Sequence, residues 1–333
     1  MTNLPTVPLG RTHMSVTRVG FGAWAIGGSG WSGGWGAQDD AESVATIRTA
    51  VESGVNWVDT AWVYGYGHSE EVVREALSGY SDADRPYVFT KCGPVEPQDR
   101  MEESIATGDP ASLRAQVVAS LRRLGTDAVD LMQMHWPAED GVELEVYWQA
   151  LLDMRDEGLY RAVGLSNFDP PELDRAEALG HVETLQPGFS AIARDPAADV
   201  LPWCDAHQTG VIVYSPMHAG LLTGAFSAER VAALPDDDWR KSDDDFTTHL
   251  AANLTVADAL AEVAARHDVS TAATAAAWTL AWPGVTAAIV GARRPDQVDG
   301  WLAAATLDLT DDDLALVARA IEASGAGSGP TRP

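Results

Sequence analysis

Four side chains among the first 135 residues have types and spacing suited to one chemistry: Asp59, Tyr64, Lys91 and His135. A tyrosine hydroxyl can give a proton to an oxygen that is gaining charge, as a carbonyl oxygen does when hydride reaches its carbon. A free phenol, with a pKa of ~10, is a reluctant acid–base group near neutrality. An ammonium beside it is expected to stabilise tyrosinate and lower that pKa, and Lys91 would supply it. Asp59 would keep Lys91 charged and aimed, since a cation in a dry site needs a partner. His135 can donate a second hydrogen bond to the same oxygen. Taken singly, each also has an ordinary role: Asp59 as a helix cap, Tyr64 as packing, Lys91 as a snorkelling surface chain, His135 as a satisfied core histidine. Lys91 stands apart because the chain has two lysines, Lys91 and Lys241, against twenty arginines.

The elements that must position these residues alternate along the chain. Short apolar or β-branched runs fall at 18–23, 56–59, 87–91, 129–135, 161–165, 184–186, 211–214 and 286–290. Helical spacing lies between them: 41–53 carries Val44, Ile47, Arg48 and Val51, and 113–124 carries Val117, Leu121 and Leu124. Ser69-Glu70-Glu71 and Asp169-Pro170-Pro171-Glu172 read as helix starts; Gly54, Gly79 and Gly158 read as stops. Eight strands alternating with helices predict an α/β fold, the (β/α)8 TIM barrel. A hairpin of 7–9 and 15–17 would close the barrel's bottom, a further helix spans 311–321, and 325–333 reads as a frayed tail. No linker divides the chain, so 1–333 is expected to form one domain. Chemistry in such a barrel sits at the C-terminal ends of the strands. There the runs end in Asp59, Lys91, His135, Ser166-Asn167, Gln186, Tyr214-Ser215-Pro216 and Gly291-Ala292-Arg293-Arg294. Polar side chains closing nearly every strand on one rim read as a functional site.

Composition narrows the partners. The 333 residues carry a net charge of −27, much of it in aspartate runs at 236–238, 243–245 and 311–313. That field repels nucleic acid and anionic membrane surfaces, and the runs themselves read as solvated loops and helix starts. Two cysteines, Cys92 and Cys204, fit a reducing compartment. The first eighteen residues hold no apolar h-region, and the longest apolar run, 272–282, is too short to span a bilayer, so a cytoplasmic location is expected. The eight histidines show no His-x-His spacing, so no metal is expected. Monomer and homo-oligomer both stay open.

The stretch from Asp59 through Tyr64 and Gly65-Tyr66-Gly67-His68-Ser69-Glu70 closely resembles the aldo-keto reductase signature. Lys91 after Val88-Phe89-Thr90 and His135-Trp136-Pro137 after Met134 match its other catalytic positions, and the branch resembled is bacterial, akin to the potassium-channel β-subunits. The resemblance implies carbonyl reduction with NADP(H), Tyr64 acting as general acid beside Asp59, Lys91 and His135. It also implies that Ser166, Asn167 and Gln186 bond the nicotinamide carboxamide while Tyr214 stacks on the ring. Backbone from Ser215, Pro216 and Met217 through Gly220 and Leu221 would then lie along the pyrophosphate. After the last strand, Gly291, Arg293, Arg294 and Gln297 would grip the adenosine 2′-phosphate, an arginine fork at a helix start. The chain departs from the pattern at Ala225, where a lysine is common, and at Gly300 and Trp301, where the adenine is usually held by Glu and Asn; Trp301 is still expected among the cofactor contacts. Arg240 would replace part of the lost phosphate contact. The glycine-rich run 27–34 is too early for a dinucleotide fingerprint and reads as a mobile first βα loop. Trp24, Trp31, Trp62 and Trp136 would surround a small-molecule carbonyl substrate, while Trp148, Trp203 and Trp278 read as core. The alternative reading is a cofactor-binding regulatory module with little turnover.

Overall fold

The computed structural model describes residues 4–81, 83–235 and 238–333, so Asp236 and Asp237 of the first acidic run lie outside the described residues. A hairpin of β1 (Thr6–Pro8) and β2 (Ser15–Thr17) precedes eight parallel strands. These are β3 (Val19–Gly22), β4 (Trp57–Asp59), β5 (Tyr87–Cys92), β6 (Val129–Met134), β7 (Tyr160–Ser166), β8 (Thr184–Gln186), β9 (Gly210–Val213) and β10 (Val285–Gly291). They close in sequence order, β10 pairing with β3, into the expected TIM barrel. Around it run α1 (Asp40–Glu52), α2 (His68–Leu77), α3 (Pro110–Leu124), α4 (Leu144–Asp156), α5 (Pro170–Glu177) and α6 (Val200–His207). The chain continues through α7 (Ala228–Ala232), α8 (Leu250–His267), α9 (Thr271–Leu280), α10 (Asp296–Leu302) and α11 (Asp311–Ser324).

Local chemistry sets the helix starts. Asp39, Asp109, Asp169 and Thr310 each accept a backbone N–H from the first turn, and the last two complete capping boxes with Glu172 and Asp313. Ser69 plays another part than the one expected. α2 begins at His68, and the buried Ser69 hydroxyl donates to the Ala23 carbonyl at 2.9 Å, tying the loop after β4 to the end of β3.

The strands' two-residue period divides the core. Val58, Val88, Met132, Val163, Leu185, Val213 and Val290 face outward into the main core shared with the helices. Trp57, Phe89, Leu131, Ala162, Ile212, Ala287 and Ile289 fill the lumen, and Leu9, Met14 and Val16 of the hairpin plug it from below. One inward step further along the strands come Asp59, Lys91, Gln133 and Gln186, all buried. The apolar lumen is therefore the floor on which a polar layer stands.

Two expectations fail at the periphery. The tail 325–333 docks instead of fraying: buried Arg194 donates to the carbonyls of Ala326 (3.1 Å) and Pro330 (2.9 Å), and Ser328 donates to Asp195. The buried guanidinium hydrogen-bonds three backbone oxygens, two of them from the tail and one from Ala191. Trp203 stays half-buried on α6, stacked on His207, whereas Trp148 and Trp278 are core.

Gly20 shows how tight the lumen is. A Cβ there would lie 2.0 Å from the buried indole of Trp57. Overpacking typically costs ~1–3 kcal/mol or more. Gly20→Ala should therefore lower the denaturant midpoint by an amount in that range with the slope unchanged; a midpoint equal to wild type would show that the lumen yields.

Candidate active site

The site begins with the buried pair at the ends of β4 and β5. Lys91 Nζ lies 2.6 Å from Asp59 Oδ1, with neither side chain more than 3% exposed. Nζ also donates to the Thr60 carbonyl at 2.9 Å and approaches Tyr64 Oη at 3.4 Å. Asp59 Oδ2 accepts from Gln186 Nε2 at 3.0 Å. The ammonium's three donors and both carboxylate oxygens are thus engaged inside the protein.

The loop 60–67 carries Tyr64 over this pair, and several contacts fix it. Thr60 and Ser69 share a hydroxyl hydrogen bond of 2.9 Å. Buried Glu70 accepts from Thr90 (2.7 Å) and from Arg123 (2.6 Å). Gly65 sits at φ 64° with the Gly27 carbonyl 2.2 Å from where a Cβ would be, so only glycine lets the Tyr64 loop meet the first βα loop so closely. Tyr64 then packs its ring edge-on to His135, centroids 5.8 Å apart, and against Trp24 and Trp31 at 6.4 and 6.1 Å. The structure brings Asp59, Tyr64, Lys91 and His135 together at one end of the barrel.

Electrostatics departs from the sequence reading in one respect. Burial, and then the Asp59 charge, push the Tyr64 hydroxyl well above the ordinary phenol range; Lys91 does not pull it down. Its charge is balanced by Asp59, so the phenol faces a nearly neutral pair in a dry site. Burial likewise raises Asp59 and lowers Lys91, each opposed by the other's charge. Burial, with Lys91 second, holds His135 well below the usual imidazole range, hence neutral. Tyr214 is pushed up to about 12, chiefly by burial.

The next strand ends form a connected set. Ser166 donates to the Gln186 carbonyl (2.8 Å), Asn167 Nδ2 to the His135 carbonyl and Ser166 Oγ (both 3.0 Å), and Tyr214 to Asn167 Oδ1 (2.9 Å). A cavity of about 870 Å³ opens beside them, lined in part by Trp24, Trp136, Asn167, Tyr214 and Trp239. In the segment after β9, Pro216 and Leu221 turn their side chains inward, and the N–H groups of His218 and Gly220 close turns on Ser215 and Met217. Those donors are spent within the turn rather than presented along its length.

The tryptophans divide. Trp24 and Trp136 line the cavity, Trp136 being 45% exposed. Trp31, 6% exposed, lies beneath Tyr66 and Tyr64, while Trp62 donates to the Pro94 carbonyl and packs on Tyr66. The first βα loop, expected to be mobile, is held. Trp35 meets Trp24 edge-on at 5.7 Å and Trp239 at 6.3 Å, and Trp24 donates to the Gly33 carbonyl. Arg240 lies 4.9 Å over Trp35, forked onto Asp238. Its charge is already met there, so the expected phosphate contact has no free fork behind it. Trp301 is 2% exposed within the core on α10, which removes it as an adenine contact. Gly291 ends β10, and Arg293, Arg294 and Gln297 lie together just beyond it.

Sequence reasoning missed Gln133, Trp35, Tyr66 and Trp239. Gln133 was legible as an inward position between Met132 and Met134; the aromatic residues gave no signal of which loops would meet.

Residues 18–322 match the aldo/keto reductase family. The chain belongs to that family. It is 32% identical over 290 residues to the aldo-keto reductase YhdN of Bacillus subtilis, which spans 86% of this chain and 85% of the relative. It is 31% identical to an NADH-specific methylglyoxal reductase of Escherichia coli, covering 95% and 98%. Among solved structures, a glycerol dehydrogenase from Gluconobacter oxydans superposes with a TM-score of 0.86 at 33% identity, covering 98% of this chain and 97% of that one. Like those relatives, the chain falls among oxidoreductases that use nicotinamide cofactors. Among the described residues, no helix is long and apolar enough to cross a membrane.

Breaking the buried pair should cost more than removing it. Lys91→Met leaves a buried, unpaired carboxylate, worth about 3–5 kcal/mol of stability, whereas Lys91→Met with Asp59→Leu should recover most of that loss. The unpaired Asp59 would have a folded pKa far above its unfolded value. The single variant should then be most stable below about pH 4 and lose stability as pH rises through the raised pKa. Denaturant titrations at several pH values measure both; a single variant as stable as wild type at pH 7 would contradict the account.

Proposed function

We propose that this family member is an NADP(H)-dependent reductase that converts an aldehyde or ketone to an alcohol, with Tyr64 as general acid. The observation that carries this reading is the placing of Tyr64 3.4 Å from the paired Lys91, with its ring against His135 and against Trp24, which lines the cavity. When bound, the nicotinamide supplies the hydride. Tyr64 gives its proton to the carbonyl oxygen as charge develops there, and the Lys91 ammonium, 3.4 Å away and paired with Asp59, holds the hydroxyl in place. Neutral His135 keeps a ring N–H with which to orient the same oxygen. Asp59 aims Lys91 and balances its charge.

The residues present fit a dinucleotide. The cavity beside Tyr214 and Asn167 has room and aromatic walls for a nicotinamide, and Ser166 and Gln186 adjoin the lining residues Asn167 and Pro187. The turn from Ser215 to Leu221 would lie along the pyrophosphate, with its His218 and Gly220 N–H groups first released from the bonds they make within the turn, and Arg293 would meet the 2′-phosphate. Two relatives are named for methylglyoxal and glycerol, which supports a small carbonyl compound as substrate, bounded by Trp24 and Trp136.

Tyr64→Phe removes only the hydroxyl. Reduction of a simple aldehyde should fall by ~10²–10⁴-fold while cofactor affinity and thermal stability hold. Because the folded phenol is raised, wild-type reduction should stay flat across neutrality and decline only in alkali, as Tyr64 loses its proton. Turnover near wild type in the folded Phe variant would refute the assignment.

A further inference from the structure

Beyond β10, the groups that would meet a 2′-phosphate are already occupied by the protein. Arg293 Nε donates to Gln38 Oε1 at 2.7 Å, and its Nη2 to the Ala37 carbonyl at 2.6 Å. Gln38 returns a bond from Nε2 to the Arg293 carbonyl at 2.8 Å. Arg294 is forked onto Asp296, both contacts 3.1 Å. Gln297 Oε1 accepts the backbone N–H groups of Arg293 (2.7 Å) and Arg294 (3.2 Å). Arg294 has its own anion, but among the described residues Arg293 is held by neutral oxygens that a phosphate can outbid in charge. We infer that Gln38 competes with the cofactor's 2′-phosphate for Arg293 and so sets the balance between NADPH and NADH. The inference rests on the reading that Arg293 is the 2′-phosphate ligand.

The two cofactors differ in what they offer Arg293. A 2′-phosphate offers Arg293 charge-assisted, two-pronged hydrogen bonds, which are stronger than a neutral amide oxygen can give. To turn its Nε–Nη2 edge to the phosphate, the guanidinium must first leave Gln38 and the Ala37 carbonyl. A cofactor with a plain 2′-hydroxyl has no such bonds to offer and leaves the Gln38 contact in place. The competition therefore opposes one cofactor and ignores the other, narrowing a preference that Arg293 alone would make large. Gln38 immediately precedes Asp39, which caps α1, so its backbone is anchored and its carboxamide is presented rather than free to drift.

The test uses 2′,5′-ADP and 5′-AMP, which differ in the 2′-phosphate and need no nicotinamide site, titrated into the unliganded protein by calorimetry. NADPH and NADH follow by fluorescence. Gln38→Ala should tighten 2′,5′-ADP and NADPH about 3- to 10-fold, the worth of one displaced hydrogen bond, and leave 5′-AMP and NADH within about 2-fold. Gln38→Glu, which would give Arg293 a carboxylate, should weaken the phosphorylated pair instead. If Gln38→Ala shifts all four probes together, the residue acts on loop closure and the inference fails. It fails also if Gln38→Ala changes none while Arg293→Ala abolishes the preference for 2′,5′-ADP, a result that leaves the NADP reading standing. If Arg293→Ala weakens all probes equally or none, the NADP reading itself fails, and the inference with it.

Discussion

The site depends on one constraint: a lysine and an aspartate buried side by side at the top of a dry barrel. Lys91 and Asp59 point inward because they follow Phe89 and Trp57 by two residues on adjacent strands. Below them the lumen is apolar and plugged by the hairpin, so neither charge can reach water from beneath. Each must find its counter-charge in the other, and the 2.6 Å separation is the result. Everything near the pair inherits a nearly neutral, desolvated environment. That environment raises the Tyr64 hydroxyl and lowers the His135 imidazole, favouring the neutral form of each.

Around this centre the barrel uses loops to shape the mouth. The Tyr64 loop is tied down by Ser69, Glu70 and the close approach of Gly65 to Gly27. The first βα loop lies across the rim and meets the long connection after β9 through Trp35 and Trp239, with Arg240 stacked on Trp35. The same loop reaches Arg293 through Ala37 and Gln38. One loop thus touches the aromatic wall at one end and Arg293 at the other, so a substitution in either place can be felt in both.

Much of this was legible in the sequence, and the remainder was not for physical reasons. Period-two runs ending in Asp59, Lys91, Gln186 and Tyr214 revealed the barrel and the rim, because inward position follows directly from strand geometry. The effect of Lys91 on Tyr64 was misjudged: a charge's influence depends on what balances it, and the spacing of residues does not show burial. Trp301 seemed free to meet a ligand, yet the face of α10 that turns inward was visible only in the fold. The Gln38–Arg293 contact joins residues 255 apart on two irregular segments, where no periodicity exists to read. The docking of the tail by Arg194 escaped notice for the same reason.

The most direct test of the central claim is the ionisation of Tyr64 itself. Ultraviolet difference titration of wild type against Tyr64→Phe isolates that one phenol in the unliganded protein. The account predicts that its tyrosinate signal emerges only above the ordinary phenol value of ~10. A midpoint below that value would mean that Lys91 dominates the phenol, and that the balanced pair does not control the site.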